Sequence, residues 1–204
     1  DASAFGVARY TQVPLPPGDA GADGGDAGDA SPVTSHLDPT FGDGGLVVTT
    51  FAKPSAGATS MLVAPDGSLY VLGFESGGAT DVVAVHYDAS GATTSTTTLP
   101  LATGTYGAAA ALLQPDGAIV VASDDGGQAL ALRLLPNGAA DPTFGVGGLS
   151  TLAVGASSGA RALARDPASG NLYVGGFSGS PHQCFVARVT PAGARDASYA
   201  TAGV

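Results

Sequence analysis

Ser60-Met61-Leu62-Val63-Ala64-Pro65-Asp66-Gly67-Ser68-Leu69-Tyr70-Val71-Leu72-Gly73-Phe74 reads as two short apolar strands joined by a tight turn. In Pro-Asp-Gly, proline presets φ, aspartate bonds its own backbone and glycine accepts positive φ. Val82-Val83-Ala84-Val85-His86-Tyr87 follows as a third strand, and a Thr-rich fourth runs near residues 94–99. The third strand is apolar at successive positions, whereas an antiparallel strand with one wet face alternates. It therefore belongs to a sheet covered on both faces.

The pattern recurs at a period near 50 residues, the range of stacked repeat architectures. Pro115-Asp116-Gly117 precedes Ile119-Val120-Val121, and Asp166-Pro167-Ala168-Ser169-Gly170 precedes Leu172-Tyr173-Val174. A second column places one basic residue at the end of an apolar run: Arg9, His86, Arg133 and Arg188. A third column holds Asp38-Pro39-Thr40-Phe41-Gly42, Asp141-Pro142-Thr143-Phe144-Gly145 and Asp196-Ala197-Ser198-Tyr199, with Thr94 in the degenerate copy. From the basic residue to the third column is 8 residues in three copies and 29 in the first. The first copy thus carries a 21-residue insertion, within residues 12–34. No segment shows helix caps followed by a 3.6-residue period, and residues 108–113 align with strands before the same turn.

These observations predict an all-β fold of β-propeller-type repeats. About three four-stranded antiparallel blades are expected, with partial blades at both ends, an open or incomplete propeller. The chain reads as one domain, with repeats at about 37–93, 94–140 and 141–195. The unit Asp141-Pro142-Thr143-Phe144-Gly145-Val146-Gly147-Gly148 with Gln114-Pro115-Asp116-Gly117-Ala118-Ile119-Val120-Val121 resembles the delta-60 repeat, a propeller-type repeat of bacterial exported proteins, and is similar to NHL-like repeats. The resemblance covers nearly all of the chain outside residues 12–34. It implies an extracellular or cell-surface location and carries no activity with it. The unit count falls short of the 4–8 blades of a closed ring, so the chain is expected to start and stop within blades. Its partners are then the remaining blades of a longer chain, or further copies of itself through exposed sheet faces.

Composition narrows the function. The chain has 204 residues, 7 Lys and Arg against 17 Asp and Glu, and a net charge of −10. The basic residues are scattered, whereas an electrostatic footprint on nucleic acid needs them clustered. No nucleic-acid partner is expected. No apolar run approaches a membrane span, so no membrane insertion is expected either. Cys184, the one cysteine, lies in an apolar run and reads as an inert buried side chain.

Candidate chemistry is sparse. Asp19, Asp23, Asp26 and Asp29 are spaced too widely for an EF-type calcium loop, and their segment contains no Glu. Gly-rich acidic sequence of this kind reads as a disordered insertion. His36, His86 and His182 have no metal-ligand spacing, and His86 reads as a polar tip closing its strand. His182 and Cys184 share a strand face without a third orienting group. Neither a cofactor, a metal nor a catalytic residue is assigned. Function in a propeller sits on loops at one end of the blades. The candidate binding-face residues are Glu75 and Asp81, Tyr106, Asp124 and Asp125, and His182. The expected function is a non-enzymatic binding or scaffold module for an unknown protein or carbohydrate ligand. The alternative is a segment of a propeller hydrolase or lyase whose catalytic residues lie elsewhere.

Overall fold

A computed structural model describes residues 3–14, 33–100 and 107–200. Every regular element among them is a strand. In chain order these are β1 (Ala4–Ala8), β2 (Tyr10–Pro14), β3 (Val33–Leu37), β4 (Leu46–Thr50), β5 (Ser55–Val63), β6 (Leu69–Ser76), β7 (Thr80–Tyr87), β8 (Thr93–Pro100), β9 (Ala110–Leu113), β10 (Ile119–Asp124), β11 (Ala129–Leu134), β12 (Leu149–Thr151), β13 (Gly159–Arg165), β14 (Leu172–Ser178) and β15 (Gln183–Val189). All pairings are antiparallel. Sheet I is β1-β4, sheet II is β5-β6-β7-β8, sheet III is β9-β10-β11-β12 and sheet IV is β13-β14-β15, with β2-β3 a separate hairpin beside sheet I. None of the sheets closes on itself.

The four-stranded unit is realised in sheets II and III, while sheet IV has three strands and sheet I two. In sheet III the fourth strand, β12, follows the Asp-Pro-Thr-Phe-Gly column, and past Asp196 residues 201–204 lie outside the described residues. In sheet I, β1 and β4 match the third and fourth strands: Ala8 faces Leu46 as Leu132 faces Leu149. Between them the insertion begins and ends in paired backbone, since Gln12, Val13 and Pro14 face Ser35, Thr34 and Val33. The remainder of the insertion, residues 15–32, lies outside the described residues.

The sheets stack in sequence order, and strand parity explains how. In sheet II, Val71, Val83, Val85 and Tyr87 join Phe5, Val7 and Phe41 in one core, while Tyr70, Leu72, Val82 and Ala84 join Ile119, Val121, Leu130 and Leu132 in the next. Val120, Ala122, Ala129 and Ala131 turn the other way, to Leu172, Val174, Phe185 and Ala187 of sheet IV. Successive side chains of a strand point to opposite faces. A strand that serves two cores must therefore be apolar throughout, as Val82-Val83-Ala84-Val85 is. The outer sheet shows the converse. Phe185, Ala187 and Val189 face inward, which turns Cys184 and Val186 outward. Cys184 is exposed and not buried as its apolar neighbours suggested.

The turns form as their residues dictate. Asp66 Oδ1 accepts from Ser68 N (3.0 Å) and Ser68 Oγ (2.7 Å), and Asp116 Oδ1 accepts from Ala118 N (3.1 Å).

The basic and Asp columns meet in a repeated latch. Arg9 Nε donates to Asp38 Oδ2 at 2.8 Å, Arg133 Nε to Asp141 Oδ2 at 2.6 Å and Arg188 Nε to Asp196 Oδ2 at 2.8 Å. The guanidinium groups also lie over Phe41, Phe144 and Tyr199. Two of the latches cross between sheets. Arg9 Nη1 donates to Ala89 O of sheet II at 2.6 Å, and Arg133 Nη1 to Pro191 O, just beyond β15, at 2.8 Å. The hydroxyl and backbone N–H of Thr40, Thr143 and Ser198, followed by the arginines, hold Asp38, Asp141 and Asp196 below the usual carboxylate pKa. A depressed folded-state pKa contributes stability that is present above the unfolded value and is lost as pH falls through the folded one. The melting temperature should therefore hold steady from pH 7 to 5 and fall below about pH 4. Circular-dichroism melts at successive pH values test this, and Asp141→Asn should make the acid slope shallower. An unchanged slope in that variant would remove the latch from the account.

Candidate functional site

The hairpin ends that join second to third strands lie at one end of the stack, as the sequence repeats imply. In sheet II, Glu75 faces Asp81 across the ladder, and both are largely buried. Asp81 Oδ2 accepts from Lys53 Nζ at 2.5 Å, and Lys53 also donates to Ala79 O at 3.2 Å. The single lysine thus ties the 51–54 segment to this hairpin.

Sheets III and IV form a continuous surface at the same end. Asp124 Oδ1 accepts from Gly126 N at 3.0 Å, and Oδ2 accepts from Arg161 Nη1 at 2.8 Å. Asp125 Oδ1 accepts from Gly127 N (3.0 Å) and Gln128 N (2.7 Å), shaping the hairpin end. The Arg161 guanidinium lies 4.9 Å from the Phe177 ring centre, and His182 stacks on Phe177 at 4.5 Å. Asp124, Arg161, Phe177 and His182 thereby form a row across two sheets. The Ser158 N–H donates to Gly127 O at 3.0 Å, and Gly179 N to Ala156 O at 3.0 Å, binding the loops to one another. Beside the row is an open shelf of about 580 Å3, lined by Asp125, Gln128, Gly155, Ala156 and Ser157 among others.

The structure thus brings Asp124, Asp125 and His182 together and places Glu75 and Asp81 on the neighbouring sheet. Tyr106 lies outside the described residues. Arg161 is the residue that sequence reading misses. β13 has a register shift between Ala160 and Ala162, leaving Arg161 as the extra residue. A bulge of this kind bends the strand and re-aims a side chain, here toward Asp124. β5 is shifted in the same way between Ala58 and Ser60, and the intervening Thr59 hydroxyl donates to Ala108 O of the next sheet. The coincidence of two bulges at one repeat position was available only as two unremarkable residues, Thr59 and Arg161.

Chemically, the row offers a half-buried cation stacked on an aromatic ring, an exposed imidazole, and backbone and hydroxyl groups around the shelf. The Asp124 and Asp81 carboxylates are each committed to an ion pair. Among the described residues no three or more His, Cys, Asp or Glu side chains converge as a metal would need. No protein-family model matches the chain, and no curated protein matches it.

Proposed function

We propose that the chain is a non-catalytic scaffold of propeller-type blades from an exported or cell-surface bacterial protein, and that its loop end is a carbohydrate-binding face. The observation that carries the reading is the Arg161–Phe177–His182 row beside an open shelf. Sugars offer an apolar ring face and a rim of hydroxyls, and an aromatic platform flanked by backbone amides and hydroxyls meets both. The scaffold half of the reading is supported by the spending of charge on cohesion: Arg9 and Arg133 join neighbouring sheets, Arg188 closes its own latch, and Lys53 and Arg161 each hold a loop carboxylate.

The test is a titration of 15N-labelled protein with a panel of neutral and acidic oligosaccharides. Amides in residues 125–128, 153–158 and 177–183 should shift while the sugar remains chemically unchanged. His182→Ala should weaken binding several-fold and leave the melting temperature within a degree or two, because the imidazole is exposed. Release of a shortened sugar would replace the scaffold reading with an enzyme. Absence of any shift at millimolar sugar with the protein folded would end the carbohydrate assignment.

A further inference from the structure

The seam between sheets II and III differs from its neighbours. At the seams I–II and III–IV an arginine donates to a carbonyl three residues past the basic column, Ala89 O or Pro191 O. The matching carbonyl at the central seam is Pro136 O, and it accepts from Tyr70 Oη at 3.1 Å. Position 86 supplies histidine instead of arginine, and position 94 supplies threonine instead of aspartate. The His86 ring lies flat on Tyr70, 4.2 Å between centres. A cleft of about 590 Å3 opens there, lined by the turns at residues 65–66 and 115–117 with Tyr70, His86, Gln114 and Pro136. It lies at the opposite end of the sheets from the loops of the proposed carbohydrate face.

Two buried polar atoms at this cleft lack a partner: His86 Nε2 and Gln114 Oε1. Gln114 is 8% exposed, so its amide oxygen is withheld from bulk water. A buried acceptor left unsatisfied is costly, so each of these two atoms calls for a partner. Both atoms present lone pairs. The Thr94 hydroxyl has one proton, and giving it to His86 O at 3.1 Å is the assignment that satisfies both of its contacts. His86 Nδ1, 2.8 Å from Thr94 Oγ1, is then the donor to that oxygen. In the neutral ring this leaves the lone pair on Nε2. Asp66 and Asp116 add negative charge at the mouth, and Ala64, Leu113 and Pro115 supply apolar wall. The Ser68 hydroxyl and backbone N–H lower the pKa of the Asp66 carboxyl.

We propose that this cleft is a binding site for an alkylguanidinium group, an arginine side chain brought by a partner peptide or a free guanidino compound. The buried acceptors take its N–H donors, the mouth carboxylates offset its charge and the apolar wall takes its aliphatic stem. A planar cation with several fixed donors suits such a set better than a point-like ammonium. The protein supplies the precedent, because Arg9 and Arg133 fill the sister seams from within.

The test titrates 15N-labelled protein with N-acetylarginine amide, agmatine and N-acetylcitrulline amide, the last a neutral isostere. Both guanidinium probes should shift amides around residues 66–70, 86 and 114–118, and the citrulline probe should bind at least tenfold more weakly. A clear preference for the arginine amide over agmatine would assign the source to a peptide, and parity would assign it to the side chain alone. His86→Arg, which places a guanidinium at the seam from within, should abolish binding and raise the melting temperature. Gln114→Leu should weaken binding at least fivefold, and it decides the matter if His86→Arg fails to fold. Equal binding of the citrulline and arginine probes, undiminished binding by Gln114→Leu, or shifts that map to the loop end would each overturn the assignment.

Discussion

Phe144→Ala should lower the melting temperature by about 10 °C, through a loss of about 4 kcal/mol. Phe144 is fully buried in the core between sheets III and IV, and the Arg133 guanidinium covers its ring at 5.5 Å. Truncation removes the apolar contact and leaves a cavity that the surrounding backbone cannot close. That backbone is pinned by Gly145 N donating to Ala192 O at 2.8 Å and by Asp141 N donating to Arg133 O at 2.9 Å. Val146, two residues on, is 87% exposed, and Val146→Ala should leave the melt unchanged. Thermal or denaturant unfolding of the two variants side by side is the measurement. Similar losses in both would mean that the Asp-Pro-Thr-Phe-Gly loop does not dock as described.

Gly193→Ala should cost about 3 kcal/mol and Gly67→Ala about 1 kcal/mol, although both residues have the same kind of backbone. Their φ angles are +84° and +83°, so the left-handed penalty is shared. They differ in surroundings. A Cβ on Gly193 would stand 2.5 Å from Gly145 N and 3.0 Å from Phe144 Cγ, against the loop docked from the preceding sheet. A Cβ on Gly67 would find Ala89 Cβ at 3.5 Å, an ordinary contact. The difference between the two substitutions therefore measures the docking of one repeat's loop on the next repeat's turn. Denaturant melts giving equal costs would show that this contact contributes nothing.

Much of the fold could be read because its rules are local. Val82-Val83-Ala84-Val85 announced burial on two faces, and Pro65-Asp66-Gly67 announced a turn whatever lay around it. Residues 108–113, which have helix-compatible composition, form strand at Ala110–Leu113 because they pair with Ile119–Ala122 of the next strand. What could not be read depends on how sheets meet. The constant spacing from Arg133 to Asp141 and from Arg188 to Asp196 was visible, but its meaning as an ion pair appears only when the chain folds back at that length. Repeat alignment groups the loop residues at one end of the strands, yet nothing near Arg161 signals that it reaches Asp124 on another sheet. The cleft at His86 was hidden for the same reason. Gln114 and His86 are 28 positions apart and on different sheets, and a degenerate repeat gives no hint of the space it leaves.

The hairpin of β2 and β3 bears on how sheet I comes together. In sheets II to IV neighbouring strands are joined by short connections, apart from residues 135–148 between β11 and β12, whereas β1 must find β4 across the whole insertion. In an unfolded chain, pairing Ala8 with Leu46 directly closes a loop of residues 9–45. Pairing Pro14 with Val33 first closes only residues 15–32, and the ladder can then run outward through Tyr10 and Leu37 to Arg9 and Asp38. Closure entropy grows as the logarithm of loop length, so the shorter step is easier by about 0.6 kcal/mol. The insertion thus carries its own zipper. The entropic penalty of lengthening this connection is set by the residues beyond Pro14 and Val33, not by the full distance between the strands of sheet I.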